Sequence, residues 1–208
     1  MTTTLTDAWA RVRAALDTHA PSTARTVRTS AAIDDIAEAQ SVMRQTFPEA
    51  VREQLLLFDG AEPDPVTGVL LPPLYIPVGL QRMQMLWQRK RSTSPIPAGG
   101  EADDAAVAGE PCRGFHPLLV PIGDDTTGDL LVVDNRPGEL HGSVLTWSRD
   151  DGLFGTPTWR SVTEMWTDVA SALETGSTQG TADDGDPHLT RNGCAAVFTA
   201  DGILEWEF

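Results

Sequence analysis

"TFPEAVREQLLLFDGAEPDPVTGVLLPP", residues 46–73, decides how this chain is organised. Thr46-Phe47-Pro48-Glu49 fits a capping box, with Thr46 as N-cap and Glu49 at the third helical position. Pro48 is tolerated in that first turn, because the N–H it lacks is one the helix ladder does not use. Val51, Leu55 and Phe58 mark a buried helix face, which Leu56 and Leu57 widen. Gly60 then supplies a left-handed stop at no steric cost. Beyond the polar "AEPDPVTG", the run "VLLPPLYIPV" (69–78) is broken by three prolines, so it is at most an edge strand with extended flanks.

Upstream, a helix is expected over 31–44. Ile33, Ile36, Ala37, Gln40 and Met43 would form its inner stripe, Ser30 its cap, and Asp34 and Asp35 its acidic first turn. The very short link to the next helix makes the two a helical hairpin. Earlier still, Leu5, Trp9, Val12 and Leu16 share one helical face, with Thr6 as N-cap and Pro21 after the stop. Trp9 reads as core rather than as a ligand contact.

Downstream, Leu80, Met83, Leu86 and Trp87 share a face of a helix over 79–91. Arg89-Lys90-Arg91 closes it, where cations complement the negative helix end, and reads as a solvated terminus. Residues 92–112 are rich in Pro, Gly, Ala and acid and read as a mobile insert. Short β runs follow at 117–122, 129–134 and 142–147. Leu130 to Val133 is apolar on both faces, which makes its strand central. The connections are too short for crossover helices, so the neighbours should be antiparallel. Ser161 to Glu164 is a second capping box. Its helix turns Met165, Trp166, Val169 and Leu173 inward and stops at Gly176. Residues 177–187 form a linker. Asp201-Gly202 then makes a hairpin whose two-residue loop sets Val197 opposite Trp206 and Thr199 opposite Leu204. Three parts result: an N-terminal helix and loop (1–29), a core domain (30–176) and a linker with a C-terminal hairpin (177–208).

The formal net charge is −15 and the pI about 4.4. Such a chain is a poor general binder of nucleic acid. It is repelled by anionic membranes and favours basic partners, though the same charge also serves plain solubility. With only two cysteines it does not read as a disulfide-built secreted module. The first 20 residues lack the continuous apolar core of a signal peptide, and no window has the roughly 20 apolar residues of a membrane span. The cytoplasm is the expected compartment.

The order of these motifs resembles the SUKH superfamily, which includes fungal cell-wall-synthesis regulators and many bacterial immunity proteins. Phe47-Pro48 with Leu55 to Gly60, Leu70-Leu71-Pro72 and Trp87 carry the first half of the resemblance. Gly128-Asp129 with the strand to Asp134, Pro137 to Gly142, Val144 and the helix from Glu164 to Gly176 carry the second. It covers about residues 30 to 176. The family often has Trp before the proline that opens the strands, where this chain has Phe115-His116 before Pro117. The insert at 92–112 is long for the family, and the terminal hairpin lies beyond its usual domain. The resemblance implies an α+β domain with helices packed on a curved, mostly antiparallel sheet. It implies a non-catalytic domain that binds protein, in many bacterial members a toxin.

Catalytic signatures are absent. The chain has no Gly-x-Ser-x-Gly elbow and no phosphate-binding glycine loop, so no catalytic residue and no cofactor are assigned. Cys112-x3-His116 and His188-x5-Cys194 could supply four soft metal ligands, but the spacing fits no recognised finger and ordinary loop residues are the default. Asp124, Asp125, Asp129 and Asp134 crowd the strand ends, where turn chemistry explains them better than acid–base work. Trp87 and Trp166, a type favoured at binding hot spots, read as core.

The expected function is that of an immunity protein capturing a basic toxin. Asp59, Glu62, Asp64, Asp124, Asp125 and Asp129 are the candidate partner-binding residues. A stand-alone regulatory scaffold is the second expectation, and a metal-dependent or acid–base hydrolase the third.

Overall fold

The computed structural model describes residues 3–95, 107–178 and 186–208. Its helices are α1 (Leu5–His19), α2 (Pro21–Ala24), α3 (Ile33–Met43), α4 (Glu49–Leu57), α5 (Leu80–Thr93) and α6 (Val162–Glu174). A five-stranded sheet runs in the order β1 (Ile76–Pro77), β2 (Leu119–Asp124), β3 (Leu130–Asp134), β4 (Val144–Ser148), β5 (Gly152–Leu153), every neighbour antiparallel. A second sheet joins β6 (Ser177–Thr178), β7 (Ala195–Phe198) and β8 (Leu204–Glu207), with β6 parallel to β7 and β8 antiparallel to it. The architecture is α+β, as expected.

The apolar run 130–133 is the middle strand, and all five residues of β3 are buried. β1 is the proline-limited edge, two residues long, since Pro77 has no N–H to give a further partner. Leu80, Met83, Leu86 and Trp87 are buried on α5, which packs on α3 and β2.

The N-terminal and C-terminal parts share this core. Trp9 of α1 stacks on Phe58 with centroids 3.9 Å apart, and both meet Trp166 of α6 edge-on at 5.2 and 5.4 Å. Each ring, fully buried, contributes on the order of 2–3 kcal/mol. This cluster ties α1 and α6 to the end of α4. Gln54 is buried beneath it, and its Oε1 accepts the Trp166 Nε1–H at 2.7 Å.

Several local expectations are corrected. Thr4, not Thr6, caps α1, with Asp7 completing the box in place of Glu. α3 begins after Ala32 with no side-chain cap, so Ser30 does not cap it. Its buried stripe is Ile36, Ala39 and Met43, while Ile33 is 71% exposed and Ala37 is exposed too. Thr46 is not the cap of α4: the helix starts at Glu49 behind Pro48. The Thr46 carbonyl instead accepts from Asn135 Nδ2 at 2.8 Å, and Gln40 Oε1 takes the Phe47 N–H at 2.8 Å. Gly60 does not stop α4 either. The helix ends at Leu57, and Phe58 is already extended at φ −162°.

The second box is half formed. Ser161 Oγ accepts the Glu164 N–H at 3.1 Å, but the Glu164 carboxylate turns to the Arg160 N–H. In the terminal hairpin the pairs are Ala196 with Trp206, Val197 with Glu205 and Phe198 with Leu204, one residue from the expected register. Thr199 and Ile203 close a three-residue loop by the Thr199 N–H to Ile203 carbonyl bond, and Gly202 takes φ +70° at its last position.

Of the insert expected at 92–112, residues 96–106 lie outside the described residues. Of its ends, Ser92 and Thr93 belong to α5, and Cys112 bridges to Leu153 of β5.

Candidate functional site

The quoted stretch is bound on both sides by distant chain. Residues 26–29 run beside 59–62: the Asp59 N–H reaches the Thr29 carbonyl, the Arg28 N–H reaches Gly60 and the Glu62 N–H reaches Thr26, each at 2.9 Å. Ala61 in turn donates to Pro77 at the sheet edge. Two glycines make this crossing possible. A Cβ on Gly60, which has φ +74°, would lie 2.2 Å from the Gly79 nitrogen, and one on Gly79 would lie 2.3 Å from the Asp59 carbonyl oxygen. Further along, Asp64 Oδ1 accepts the Val66 N–H at 3.0 Å and starts a single 3-10 turn, Pro65–Thr67. Gly68 bridges to Leu204 of β8, and Trp206 Nε1 donates to the Val69 carbonyl at 3.0 Å. The C-terminal hairpin therefore completes the surface that the loop begins.

The six candidate acids divide between this loop and the β2–β3 turn. Asp59 is a positioning residue: Oδ1 accepts the Leu80 N–H at 2.7 Å and caps α5, whose own N-cap is Gly79. Glu62 and Asp64 are exposed, with Arg28 3.5 Å from Glu62 and 4.0 Å from Asp59. Asp124 is buried and bound by the Arg82 guanidinium, so it is not open to a partner. Asp125 Oδ1 accepts three backbone N–H groups, from Thr127, Gly128 and Asp129. Burial alone would raise its carboxyl. The Thr127 hydroxyl and those N–H groups outweigh burial and hold it below the usual carboxylate value. Asp129 accepts from the Arg149 N–H at 3.0 Å. The expected turn chemistry is what Asp125 does, and Asp124 adds it through the Thr126 N–H at 2.9 Å, whereas Asp129 reaches across to Arg149.

Three open concavities border the stretch. One of about 500 Å³ is lined by Arg28, Asp59, Glu62, Arg82 and Met85. A second, of about 510 Å³, contains Glu62, Asp64, Val66 and Ile203. The third, about 490 Å³, contains Val66, Leu74, Asp125, Ile203 and Trp206. Asp129 lines none of the three. The exposed apolar residues Val66 and Leu74 gain their weight from neighbours over a hundred residues away in the hairpin.

The basic run on α5 is corrected in one residue. Lys90 is buried, its Nζ donates to the Gly128 carbonyl, and it lies 4.5 Å from the centroid of the Trp147 ring. Burial and the neighbouring Arg89 push its ammonium below the ordinary lysine value, against the pull of Asp124, Asp129 and Asp125.

A separate buried pair organises the β3–β4 turn. Asp134 and Arg136 are both 0% exposed, joined by two hydrogen bonds of 2.9 and 2.7 Å. Asp134 also accepts from the Gly109 N–H, and Arg136 donates to the Glu110 carbonyl, which anchors the chain returning to the sheet.

Among the described residues, no group of three or more His, Cys, Asp or Glu could hold a metal ion. Cys112, His116, His188 and Cys194 therefore do not meet. His188 goes to Asp168 Oδ1 at 2.9 Å, while Cys112 and Cys194 bond to nearby carbonyls. Among the described residues no helix is long and apolar enough to cross a membrane.

The fold and surface define an α+β domain whose clefts are open and in which four of the six candidate acids, Asp59, Asp124, Asp125 and Asp129, hold backbone or a cation. The model of the SMI1 / KNR4 family (SUKH-1) matches residues 30–168, and the chain belongs to that family. α1 and the whole second sheet lie outside the matched span. No curated protein matches the chain.

Proposed function

We propose that this chain is a non-catalytic protein-binding domain that acts in the cytoplasm as an immunity protein, capturing and occluding a cognate basic toxin. The observation that carries the reading is the placement of acid: in a chain of net charge −15, Glu62 and Asp64 stand exposed at the rims of open concavities. Such a field speeds encounter with a cationic surface and fixes its orientation, while contact area holds the complex. Asp59, Asp124, Asp125 and Asp129 act behind that surface, holding α5 and the β2–β3 turn in shape. Family membership supports a binding role over a catalytic one.

The test is protection. The chain is co-expressed with the product of the adjacent reading frame, in cells whose growth that product arrests. Restored growth is the expected result. An adjacent product that is harmless, or arrest that the chain does not relieve, contradicts the immunity role and favours a stand-alone regulatory scaffold.

A further inference from the structure

The two concavities beside the 3-10 turn are one surface. Val66 and Ile203 line both, so the floor passes without a break from the loop after α4 to the tip of the C-terminal hairpin. That floor is apolar and open. Val66 is 75% exposed and Leu74 63%, with Trp206 and Ile203 half-buried between them. Isolated exposed apolar residues are ordinary, but apolar residues gathered in a concavity indicate a binding surface. The rim is one-sided in charge. Glu62, Asp64 and Asp201 border one lobe and Glu205 the other, where Asp125 also lies but is engaged by its own turn; Arg25 and Arg28, the latter 3.5 Å from Glu62, are the cations beside them.

We propose that this two-lobed groove is the docking site for a basic segment of another polypeptide, which inserts an apolar side chain over Val66 and Ile203 and sets Lys or Arg against the acidic rim. The inference rests on the protein-binding reading and adds its place and the chemistry of its partner. The charge selects the occupant. A second copy of this chain brings a net −15 to an acidic rim, and a nucleic acid brings phosphates; both are repelled. An apolar segment without cations leaves the rim uncompensated. The groove also draws on residues beyond the matched family span. Leu74, Val66 and Asp125 fall inside the matched family span, but Ile203, Glu205 and Trp206 lie outside it. About a third of the second lobe's lining is thus supplied by the C-terminal hairpin, which is seated by the Trp206 bond to Val69 and the Gly68–Leu204 bridge.

The test is selection of peptides from a random twelve-residue library on the immobilised full chain, followed by affinity measurement of the enriched peptides. The comparison proteins are Val66→Asp, Leu74→Asp and Glu205→Lys, all at exposed positions, with the exposed Ile33→Asp on α3 as a control. Enriched peptides are expected to share an apolar residue flanked by Lys or Arg. Affinity should drop about tenfold or more in the groove variants and stay unchanged in Ile33→Asp. Raising salt should weaken binding further. Peptides that lack the basic–apolar pattern, peptides that bind the groove variants as well as wild type, or no enrichment at all each overturn the proposal. Concentration-dependent dimerisation abolished by Val66→Asp would assign the groove to a second copy instead, and so overturns it too. The two proposals fail separately. Protection that survives Val66→Asp removes the groove and leaves the immunity role; peptide binding without protection does the reverse.

Discussion

Asp59 Oδ1 accepts the backbone N–H of Leu80 at 2.7 Å, so the residue just past α4 caps α5 across 21 positions. Beside it, Gly60 and Gly79 allow the two backbones to touch. The end of one helix and the start of another are thereby a single junction. Asp59→Ala leaves the first turn of α5 uncapped and is expected to cost about 1 kcal/mol, while Asp59→Asn, which keeps an acceptor oxygen, costs less. Urea denaturation of the two variants checks this. Equal stability of wild type and Asp59→Ala would show that the bond carries nothing.

Gly60→Ala meets both a positive φ and a backbone atom 2.2 Å from the new Cβ. Neither can be relieved by a side chain moving aside. The expected loss is about 2–4 kcal/mol, visible as a lower denaturation midpoint. Gly142→Ala is the comparison, since it has a similar φ of +85° but open space around it. It should lose about 1–2 kcal/mol, the backbone cost alone.

The Asp134–Arg136 pair predicts strong non-additivity. Asp134→Ala leaves a guanidinium buried at 0% exposure without its counter-ion, at a cost of about 3–5 kcal/mol. Asp134→Leu combined with Arg136→Met removes both charges and should be less damaging than the sum of the single changes. A double-mutant cycle by chemical denaturation reads this directly; additive losses contradict it.

Acid sensitivity follows from Asp125. Its folded carboxyl is held below its unfolded value, so the turn's stabilisation is fully present above about pH 4. It disappears as the pH falls through the lower folded value. Asp125→Ala should therefore be less stable than wild type at pH 7, and the gap should close in strong acid. A gap that is constant with pH would contradict the assignment.

The strands and main helices were legible in the sequence because short-range pattern determines them. Leu130 to Val133 is apolar on both faces, and only a covered central strand accommodates that. Leu80, Met83, Leu86 and Trp87 fall on one helical face for the same local reason. What misled were residue types with two uses. Thr46 and Glu49 have the spacing of a capping box, but Pro48 takes the cap position and Thr46 lies two residues before it, held by Asn135. Asp59-Gly60 looks like a helix stop because its true partners, Leu80 and Gly79, are some twenty residues on. Asp201-Gly202 is a hairpin signal for either loop length, and a three-residue loop moves the register by one from that of a two-residue loop. Lys90 followed the rule for basic helix ends, yet Trp147 lies over it. That the hairpin joins the groove had no sequence signal, because Val66 and Ile203 meet only through the pairing of Gly68 with Leu204.

The most direct measurement of the central claim is affinity capture from the source cells with quantitative mass spectrometry, run in parallel with wild type, Val66→Asp and Ile33→Asp. A basic polypeptide is expected to be retained in near-stoichiometric amount by wild type and Ile33→Asp, eluted by salt, and lost with Val66→Asp. A retained partner that is acidic, or one held equally by all three proteins, would contradict it.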